Sequence, residues 1–206
     1  MPGLERGDLL VLDLDGTLLP GNSFHRWLAE LLLRAPAGLK LVVLRAVAGR
    51  VAGRWSHARM KQEVMRGWDD FSARAPGRAE ALVARFAAGL RARFRPELTE
   101  LMAEARALGV PSLLATAAPE DYAAALGQGT SGVIASRLAG GTLVETKGEA
   151  KRAAVAAQMA ARGWRGRSIV LATDHADDAP LCAVARHVLW YGPVPPAPTL
   201  VLEARA

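Results

Sequence analysis

Short, unbroken apolar runs recur along the chain. The first is Leu9–Leu12, and similar runs occupy residues 110–115, 168–172 and 187–191. A continuous apolar run that ends in polar residues or glycine is typical of a strand buried on both faces of a parallel sheet. Stretches with apolar residues at helical spacing lie between these runs, at residues 96–108, 119–126, 149–162 and 177–185. This alternation predicts an α/β fold built on a doubly wound parallel sheet.

One long segment breaks the alternation. Between Asn22 and about Phe94 the apolar residues recur only at helical spacing, and no strand is predicted there. Glycine and proline mark expected helix ends at Gly53, residues 67–70 and residues 75–77. We therefore expect an all-helical insertion in the α/β core. The insertion would occupy residues 21–94, and the core domain would consist of residues 1–20 and 95–206.

Three smaller features carry glycine or proline. Two short apolar runs around Gly140-Gly141, within residues 133–144, predict a β-hairpin. The tail from Pro193 contains four prolines and is expected to be extended. Residues 127–132 match the dinucleotide-binding string G-x-G-x-x-G, but a predicted helix precedes them and a predicted strand follows. Because that fingerprint needs the opposite order, no dinucleotide cofactor is expected.

Composition narrows the class of protein. Among 206 residues, 26 Lys and Arg face 20 Asp and Glu, and the net charge of +6 favours acidic partners. The basic residues are scattered and only 5% of residues are aromatic, which argues against a nucleic-acid partner. The single cysteine, Cys182, cannot form an internal disulfide and is expected in the core. With neither a signal peptide nor an apolar run of membrane length, a cytoplasmic protein without stable membrane insertion is expected.

Acidic residues follow two of the predicted strands. Asp13 and Asp15 come directly after the first strand, and Asp174, Asp177 and Asp178 come after a later one. Because the carboxyl ends of parallel strands meet at one edge of the sheet, these carboxylates would repel one another unless a cation neutralised them. Oxygen ligands without clustered cysteine or histidine favour Mg²⁺ over zinc.

A hydroxyl and a lysine add a candidate phosphate site. Thr116 follows a strand expected to end at Ala115 and precedes a helix expected from Pro119, where free backbone N–H groups suit a phosphate. Lys151 lies near the start of a predicted helix and can supply a compact positive charge. Lys147 competes with Lys151 for this role.

The order of these residues resembles the four motifs of the haloacid dehalogenase superfamily. The motifs are Asp13-Leu14-Asp15-Gly16-Thr17, then Thr116, then Lys151, then Asp174 with Asp178. The resemblance covers the whole chain, and Asp-x-Asp-Gly-Thr is its most specific part. The predicted insertion is similar to the helical cap of the phosphoserine-phosphatase-like branch.

The resemblance implies phosphoryl transfer through a covalent aspartyl-phosphate. It assigns Asp13 as the nucleophile and Asp15 as the general acid and base, with Gly16 and Thr17 supporting the motif. Thr116 and Lys151 would bind the transferring phosphoryl oxygens. The resemblance also favours Lys151 over Lys147, because Lys151 lies one helix and one turn before the Ile169 strand, as the lysine does in relatives.

The same resemblance implies a Mg²⁺ ion. Its ligands would be the Asp13 carboxylate, the backbone carbonyl of Asp15 and the Asp174 carboxylate. Asp178 would orient Lys151 or a metal-bound water. A small phosphorylated metabolite is the expected partner.

One departure from the resemblance concerns the substrate. Asn22 stands where phosphoserine phosphatases have a glutamate that binds the substrate amine, which argues against phosphoserine. Asn22, His25, Arg26 and Arg59 are candidate substrate contacts. His175 is expected to be a solvated loop residue.

Several alternatives stay open at this level. A dehalogenase would use the same aspartate without a metal, and a phosphotransferase or mutase would use the same chemistry with another acceptor. A non-enzymatic, phosphate-responsive binding protein belongs to a different class. The apolar and basic run Leu39–Arg45 is expected to be a packed helix of the insertion, with a membrane-surface or lipid-phosphate contact as the alternative. The sequence leaves the oligomeric state undetermined.

Overall fold

A computed structural model describes residues 3–194 and the backbone of residues 201–204. The strands are β1 (Asp8–Leu12), β2 (Ser112–Pro119), β3 (Gly132–Ala139), β4 (Thr142–Val144), β5 (Ser168–Thr173), β6 (Ala185–Trp190) and β7 (Val201–Ala204). The helices are α1 (Ser23–Arg34), α2 (Ala37–Val51), α3 (His57–Arg74), α4 (Pro76–Arg91), α5 (Pro96–Leu108), α6 (Glu120–Leu126), α7 (Gly148–Ala161) and α8 (Ala179–Cys182). A single 3-10 turn, Ala176–Asp178, precedes α8.

The seven strands form one sheet in the order β4-β3-β2-β1-β5-β6-β7. Every neighbouring pair is parallel except β3 and β4, which form an antiparallel hairpin. β1 lies at the centre, between β2 and β5. The carboxyl ends of these three strands therefore meet at one edge, where ligands bind in open α/β sheets.

Both faces of the sheet are covered, as the unbroken apolar run of β1 predicts. Leu9 and Val11 belong to a hydrophobic cluster with Val155 and Met159 of α7. Leu10 and Leu12 belong to a second cluster, which takes in side chains of α1 to α6 on the other face. This arrangement confirms the predicted α/β fold.

Four consecutive helices, α1 to α4, occupy residues 23–91 with no strand among them. Two of the expected breaks are confirmed, since α2 ends before Gly53 and α3 ends at Arg74 before Pro76. The break expected at Gly67 is wrong, because α3 runs through it. A Cβ on Gly67 would lie 2.8 Å from Cγ1 of Val42, so this glycine lets α2 and α3 approach closely.

The predicted helix at residues 177–185 is also wrong in extent. Only the 3-10 turn and the four-residue α8 form, because the chain from Ala185 pairs with β5 as strand β6. The predicted hairpin is confirmed: Gly140 and Gly141 make its turn with φ of +56° and +74°. The extended tail expected from Pro193 lies largely at residues 195–200, outside the described residues. Within the described part of the chain, no helix combines the length and hydropathy needed to cross a bilayer.

Candidate active site

The segment after β1 folds into a tight loop at the carboxyl edge of the sheet. Asp13 still bonds in register with the sheet, its N–H donating to the Ala172 carbonyl at 2.9 Å. The chain then turns at Gly16, whose φ is +75°, and its N–H donates to the Gly21 carbonyl at 3.0 Å. This closed loop holds the side chains of Asp13 and Asp15 at the end of the strand.

Asp13 lies in a buried ion-pair network with a lysine from α7. The Lys151 ammonium donates to Asp13 Oδ1 at 3.0 Å and to Asp178 Oδ2 at 2.7 Å. The hydroxyl of Thr173 also donates to Asp178 Oδ2, at 2.6 Å. All four residues are buried, so the network has little freedom to rearrange. Three stretches far apart in sequence therefore meet at Asp13.

The structure separates the two candidate lysines. Lys151 is buried against Asp13, whereas the side chain of Lys147 is 52% exposed and pairs with Asp177 at 2.8 Å. Lys147 is the residue before α7, and Lys151 lies one turn into that helix. Lys151 is thus the lysine that contacts Asp13.

Burial governs the ionisation of this network. Burial raises the pKa of Asp13 to about 7, and the Lys151 ammonium opposes that effect. Burial also disfavours the charged form of Lys151, but Asp13 and Asp178 together hold its pKa above the usual value. The lysine stays charged at neutral pH, and the neighbouring carboxylates share its single positive charge.

Asp15 faces the amino end of α1. Its Oδ1 accepts a hydrogen bond from the Ser23 N–H at 2.6 Å. Burial raises the pKa of Asp15, and the Ser23 N–H opposes the shift. Asn22 caps the same helix by accepting from the His25 N–H at 2.9 Å, and it lines the adjacent pocket. His25 itself lies outside the lining residues, as do Arg26 and Arg59.

Thr116 is placed differently from the sequence expectation. β2 does not end at Ala115 but continues to Pro119, with a register irregularity between those two residues. The buried Thr116 lies in that irregular stretch, and its hydroxyl accepts from the Ala118 N–H at 3.0 Å. The helix begins one residue after Pro119, at Glu120. The irregularity, rather than a strand end, brings the hydroxyl to the pocket.

Asp174 lies over Gly16 at the mouth of the site. The Thr17 hydroxyl donates to Asp174 Oδ1 at 3.3 Å. A Cβ on Gly16 would sit 1.8 Å from Asp174 Oδ2, so only glycine leaves room for this carboxylate. Burial raises the pKa of Asp174, and the Thr17 hydroxyl opposes the shift.

The four aspartates Asp13, Asp15, Asp174 and Asp178, with Lys151 and Thr116, line one cavity of about 430 Å³. Its charged lining consists of six carboxylates and three lysines: Asp13, Asp15, Glu145, Asp174, Asp177, Asp178, Lys61, Lys147 and Lys151. Thr116, Gly16 and Asn22 line it as well, together with His57 and His175. The six carboxylates outnumber the three lysines, so the lining is mainly acidic in a protein whose overall charge is +6.

Sequence reasoning missed Lys61 and Glu145. Lys61 of α3 is buried, and its ammonium donates to the Ala117 carbonyl at 2.5 Å and to Glu145 Oε1 at 3.0 Å. Burial lowers the pKa of Lys61, and Glu145 opposes that effect. A signal was present in the composition, because the chain has only four lysines beside 22 arginines and three of the four line this cavity.

The donor set suits one hard divalent cation. Among the described residues, no group of three Asp, Glu, His or Cys side chains forms a metal site. The Mg²⁺ ligands that the family resemblance implies include only two carboxylates, those of Asp13 and Asp174. The third ligand is the backbone carbonyl of Asp15, which such a count of side chains does not include. The glycine at position 16 keeps space for the Asp174 carboxylate, and oxygen ligands in a mainly acidic lining are those that a hard divalent cation prefers.

Known structures share this fold. A protein of unknown function from Bordetella pertussis Tohama I is 19% identical with a TM-score of 0.73, over 89% of each chain. A probable phosphoserine phosphatase from Vibrio cholerae is 14% identical with a TM-score of 0.58, over 90% of this chain and 57% of that one. A phosphoserine phosphatase carrying a phospho-aspartyl intermediate analogue is 15% identical with a TM-score of 0.53, over 90% of this chain and 87% of that one.

At sequence identities of 14–19%, these comparisons show a shared fold and no more. No curated protein sequence matches the chain. The model of one family, described as haloacid dehalogenase-like hydrolases, matches residues 10–183. That span begins within β1 and ends just after α8, so it includes Asp13, Thr116, Lys151 and Asp178. The chain belongs to the haloacid dehalogenase-like hydrolase family.

Proposed function

We propose that the protein is a Mg²⁺-dependent phosphatase that hydrolyses a small phosphomonoester through a covalent aspartyl-phosphate on Asp13. The observation that carries the proposal is the contact between the buried Asp13 carboxylate and the Lys151 ammonium at the end of β1. A lysine in this position can bind a phosphoryl oxygen while it holds the nucleophile in place. The phospho-aspartyl analogue in a phosphatase of the same fold supports this choice by analogy.

In the first half-reaction a carboxylate oxygen of Asp13 attacks the phosphorus. The new bond is an acyl phosphate, and the bond from phosphorus to the substrate oxygen breaks. Asp15 donates its proton to the leaving oxygen, so the alcohol departs neutral. The raised pKa of Asp15 suits this role, because burial favours the protonated carboxyl.

In the second half-reaction a water molecule takes the phosphoryl group from Asp13. Asp15, now ionised, takes a proton from the attacking water, and the acyl phosphate releases inorganic phosphate and the Asp13 carboxylate. Thr116 and Lys151 bind the transferring oxygens in both halves, and Asp178 orients Lys151 through the 2.7 Å contact.

Asp13, the backbone carbonyl of Asp15 and Asp174 would hold the Mg²⁺. The bound ion would supply the positive charge that lets an anionic phosphoryl group approach the Asp13 carboxylate. Thr17 would orient Asp174 through its hydroxyl.

The helical segment would select the substrate. We assign residues 21–94 as a cap over a core of residues 1–20 and 95–206. Lys61, from α3, donates to the carbonyl of Ala117 in the cavity lining and is the cap cation best placed near Asp15. The cavity of about 430 Å³ fits a metabolite of modest size. Asn22 carries no negative charge to bind a substrate amine, and its amide oxygen caps α1, so phosphoserine is not favoured.

A cytoplasmic location agrees with the single cysteine.

Hydrolysis of a panel of phosphomonoesters, with Mg²⁺ and with a chelator, tests the proposal. We expect Mg²⁺-dependent release of phosphate that is lost in Asp13→Asn. Asp70→Asn is the matched control, because Asp70 lies on α3 with its side chain 74% exposed. Turnover that survives in Asp13→Asn, or that is unaffected by chelation, would contradict the proposal.

A further inference from the structure

The outer face of α2 is apolar, although it faces solvent. Its members are Leu33 at the end of α1 and five residues of α2: Ala37, Leu41, Leu44, Ala48 and Val51. At 3.6 residues per turn, the five α2 residues fall within an arc of roughly 80°. Leu33, Leu41, Leu44 and Val51 are 67%, 66%, 53% and 82% exposed, so no described part of the chain covers them.

The opposite side of α2 is buried, and packing accounts for its apolar residues. Leu39, Val43, Ala46 and Gly49 are buried against the rest of the helical segment. A helix at the surface of a water-soluble domain normally presents a polar outer face. The outer face of α2 therefore has no explanation in the packing of this chain.

Positive charge surrounds this outer face. Residues 31–62 contain seven lysines and arginines and no aspartate or glutamate. On α2, Lys40 and Arg45 flank the apolar arc on opposite sides, and Arg54 follows its carboxyl end. None of these three pairs with a carboxylate in the described structure. Lys40 instead donates to the backbone carbonyl of Leu33 at 3.2 Å, so the end of α1 lies within reach of a side chain that flanks the arc.

We propose that the outer face of α2 docks on the surface of an anionic lipid bilayer. Apolar side chains at the centre and unpaired cations at the rim match the acyl boundary and the charged headgroups of such a surface. A second copy of the chain fits less well, because a symmetric contact would bring the same cations together. The docking does not depend on the proposed phosphatase chemistry.

A short segment joins the end of α2 to a residue that lines the cavity. After Val51 the chain passes through residues 52–56 to His57, which lines the cavity. The charge of Arg50 at the end of α2 is close enough to His57 to help lower the pKa of that imidazole, after the larger effect of burial. Docking through α2 would bring the cap, and with it one wall of the cavity, to the membrane surface.

Co-sedimentation with vesicles tests the proposal on the full chain. We compare vesicles of phosphatidylcholine alone with vesicles of equal parts phosphatidylcholine and phosphatidylglycerol. We expect pelleting with the anionic vesicles only, and release at high salt, since surface attraction is screened. No pelleting with the anionic vesicles, or equal pelleting with both, would overturn the proposal.

Two variants locate the contact. Leu41→Gln with Leu44→Gln removes apolar area while it keeps good helix formers, and Arg45→Gln with Arg54→Gln removes two rim charges. Each pair should weaken binding to anionic vesicles by about tenfold or more. The controls are Val184→Gln, at an exposed valine elsewhere, and Arg85→Gln with Arg165→Gln, at exposed arginines outside the face. Thermal unfolding of each variant verifies that it is folded.

Two results would reject the membrane as the occupant. Vesicle binding that both variant pairs leave unchanged would show that another surface is responsible. Light scattering that finds a dimer, dissociated by Leu41→Gln with Leu44→Gln, together with no vesicle binding, would identify the face as a contact between copies.

Discussion

Asp121, in the first turn of α6, is a carboxylate that folding buries without a full set of partners. Its Oδ2 is buried and accepts no hydrogen bond in the described structure. Burial raises the pKa of Asp121 to about 7, and the nearby charges of Asp69 and Glu120 add to the shift. A carboxyl with a raised pKa in the folded state favours folding at low pH and opposes it at high pH.

Asp121→Asn should therefore stabilise the protein in a pH-dependent way. Below the pKa that Asp121 has in the unfolded chain, the carboxyl is protonated in both the folded and the unfolded state, so the substitution adds little stability. Above pH 7 the folded wild type carries the full cost of the buried charge, and the substitution removes that cost. We expect the free energy of unfolding to rise by about 1–3 kcal/mol at pH 8 and to change little at pH 4. Urea unfolding at the two pH values measures this. An equal change at both would exclude ionisation as the cause.

Gly16 is a second residue whose role follows from its local geometry. Gly16→Ala would place a Cβ against the Asp174 carboxylate and would strain a backbone with φ of +75°. We expect turnover and Mg²⁺ affinity to fall by at least about tenfold, because a predicted metal ligand must move.

Gly53→Ala is the matched control for that substitution. Gly53 has φ of +70°, but nothing lies within 4 Å of the position of its Cβ. Both variants should lose about 1 kcal/mol of stability from strain, and only Gly16→Ala should lose activity. Similar activity in the two would show that the space beside Asp174 is unimportant.

At the scale of elements, three polar side chains of α3 contact the β3–β4 hairpin and its surroundings: Gln62 and Arg66 contact the hairpin itself, and Lys61 contacts β2 and the residue that follows β4. Lys61 binds Glu145 and the Ala117 carbonyl, Gln62 accepts from the Leu143 N–H at 3.1 Å, and Arg66 donates to the Gly141 carbonyl at 2.8 Å. The hairpin thereby helps to hold α3, the helix whose Lys61 lines the cavity. This gives the small hairpin a part in shaping the site.

Lys61→Met tests that contact. The apolar stem remains, but the Ala117 carbonyl loses its ammonium partner and Glu145 loses its ion pair. We expect a loss of about 1–3 kcal/mol in the free energy of unfolding, measured by urea unfolding. Lys40→Met, which removes one exposed hydrogen bond to Leu33, should cost less than about 1 kcal/mol. Equal losses in the two variants would mean that the Lys61 contacts stabilise the fold no more than the exposed hydrogen bond of Lys40 does.

The elements also show what the sequence could and could not predict. Buried strands such as β1 and β5 were predictable because both faces of the sheet are covered, which demands continuous apolar runs. Gly67 does not break α3, since the packing of α2 overrides its low helix propensity. The helix expected at 177–185 is cut short because pairing with β5 recruits Ala185 into β6.

The residues of the candidate site also divide into those that the sequence could predict and those that it could not. Asp13, Lys151 and Asp178 were predictable because each lies close to a strand or helix end that the topology brings together. Lys61 and Glu145 are 84 residues apart, and only the tertiary fold joins them. The irregularity in β2 that positions Thr116 has no signal in the local sequence.

At the scale of the whole molecule, an acidic cavity lies in a basic protein. Six carboxylates and three lysines line the cavity of a chain whose net charge is +6, and a bound cation would reduce the repulsion among those carboxylates. Mg²⁺ should raise the melting temperature, because a ligand that binds only the folded state stabilises it by about 2.7 kcal/mol at 100 times its Kd. Asp174→Asn should abolish the shift, and the exposed Asp70→Asn should retain it. A shift that persists in Asp174→Asn would place the ion elsewhere.

Trapping of the acyl phosphate tests the central claim most directly. The protein is mixed with a phosphomonoester that it hydrolyses, the reaction is stopped with acid during turnover, and the phosphorylated peptide is mapped. We predict a base-labile phosphoryl group on Asp13, absent from Asp13→Asn and present in Asp70→Asn. Turnover without a phosphoryl group on Asp13, or with one on another residue, would contradict the account.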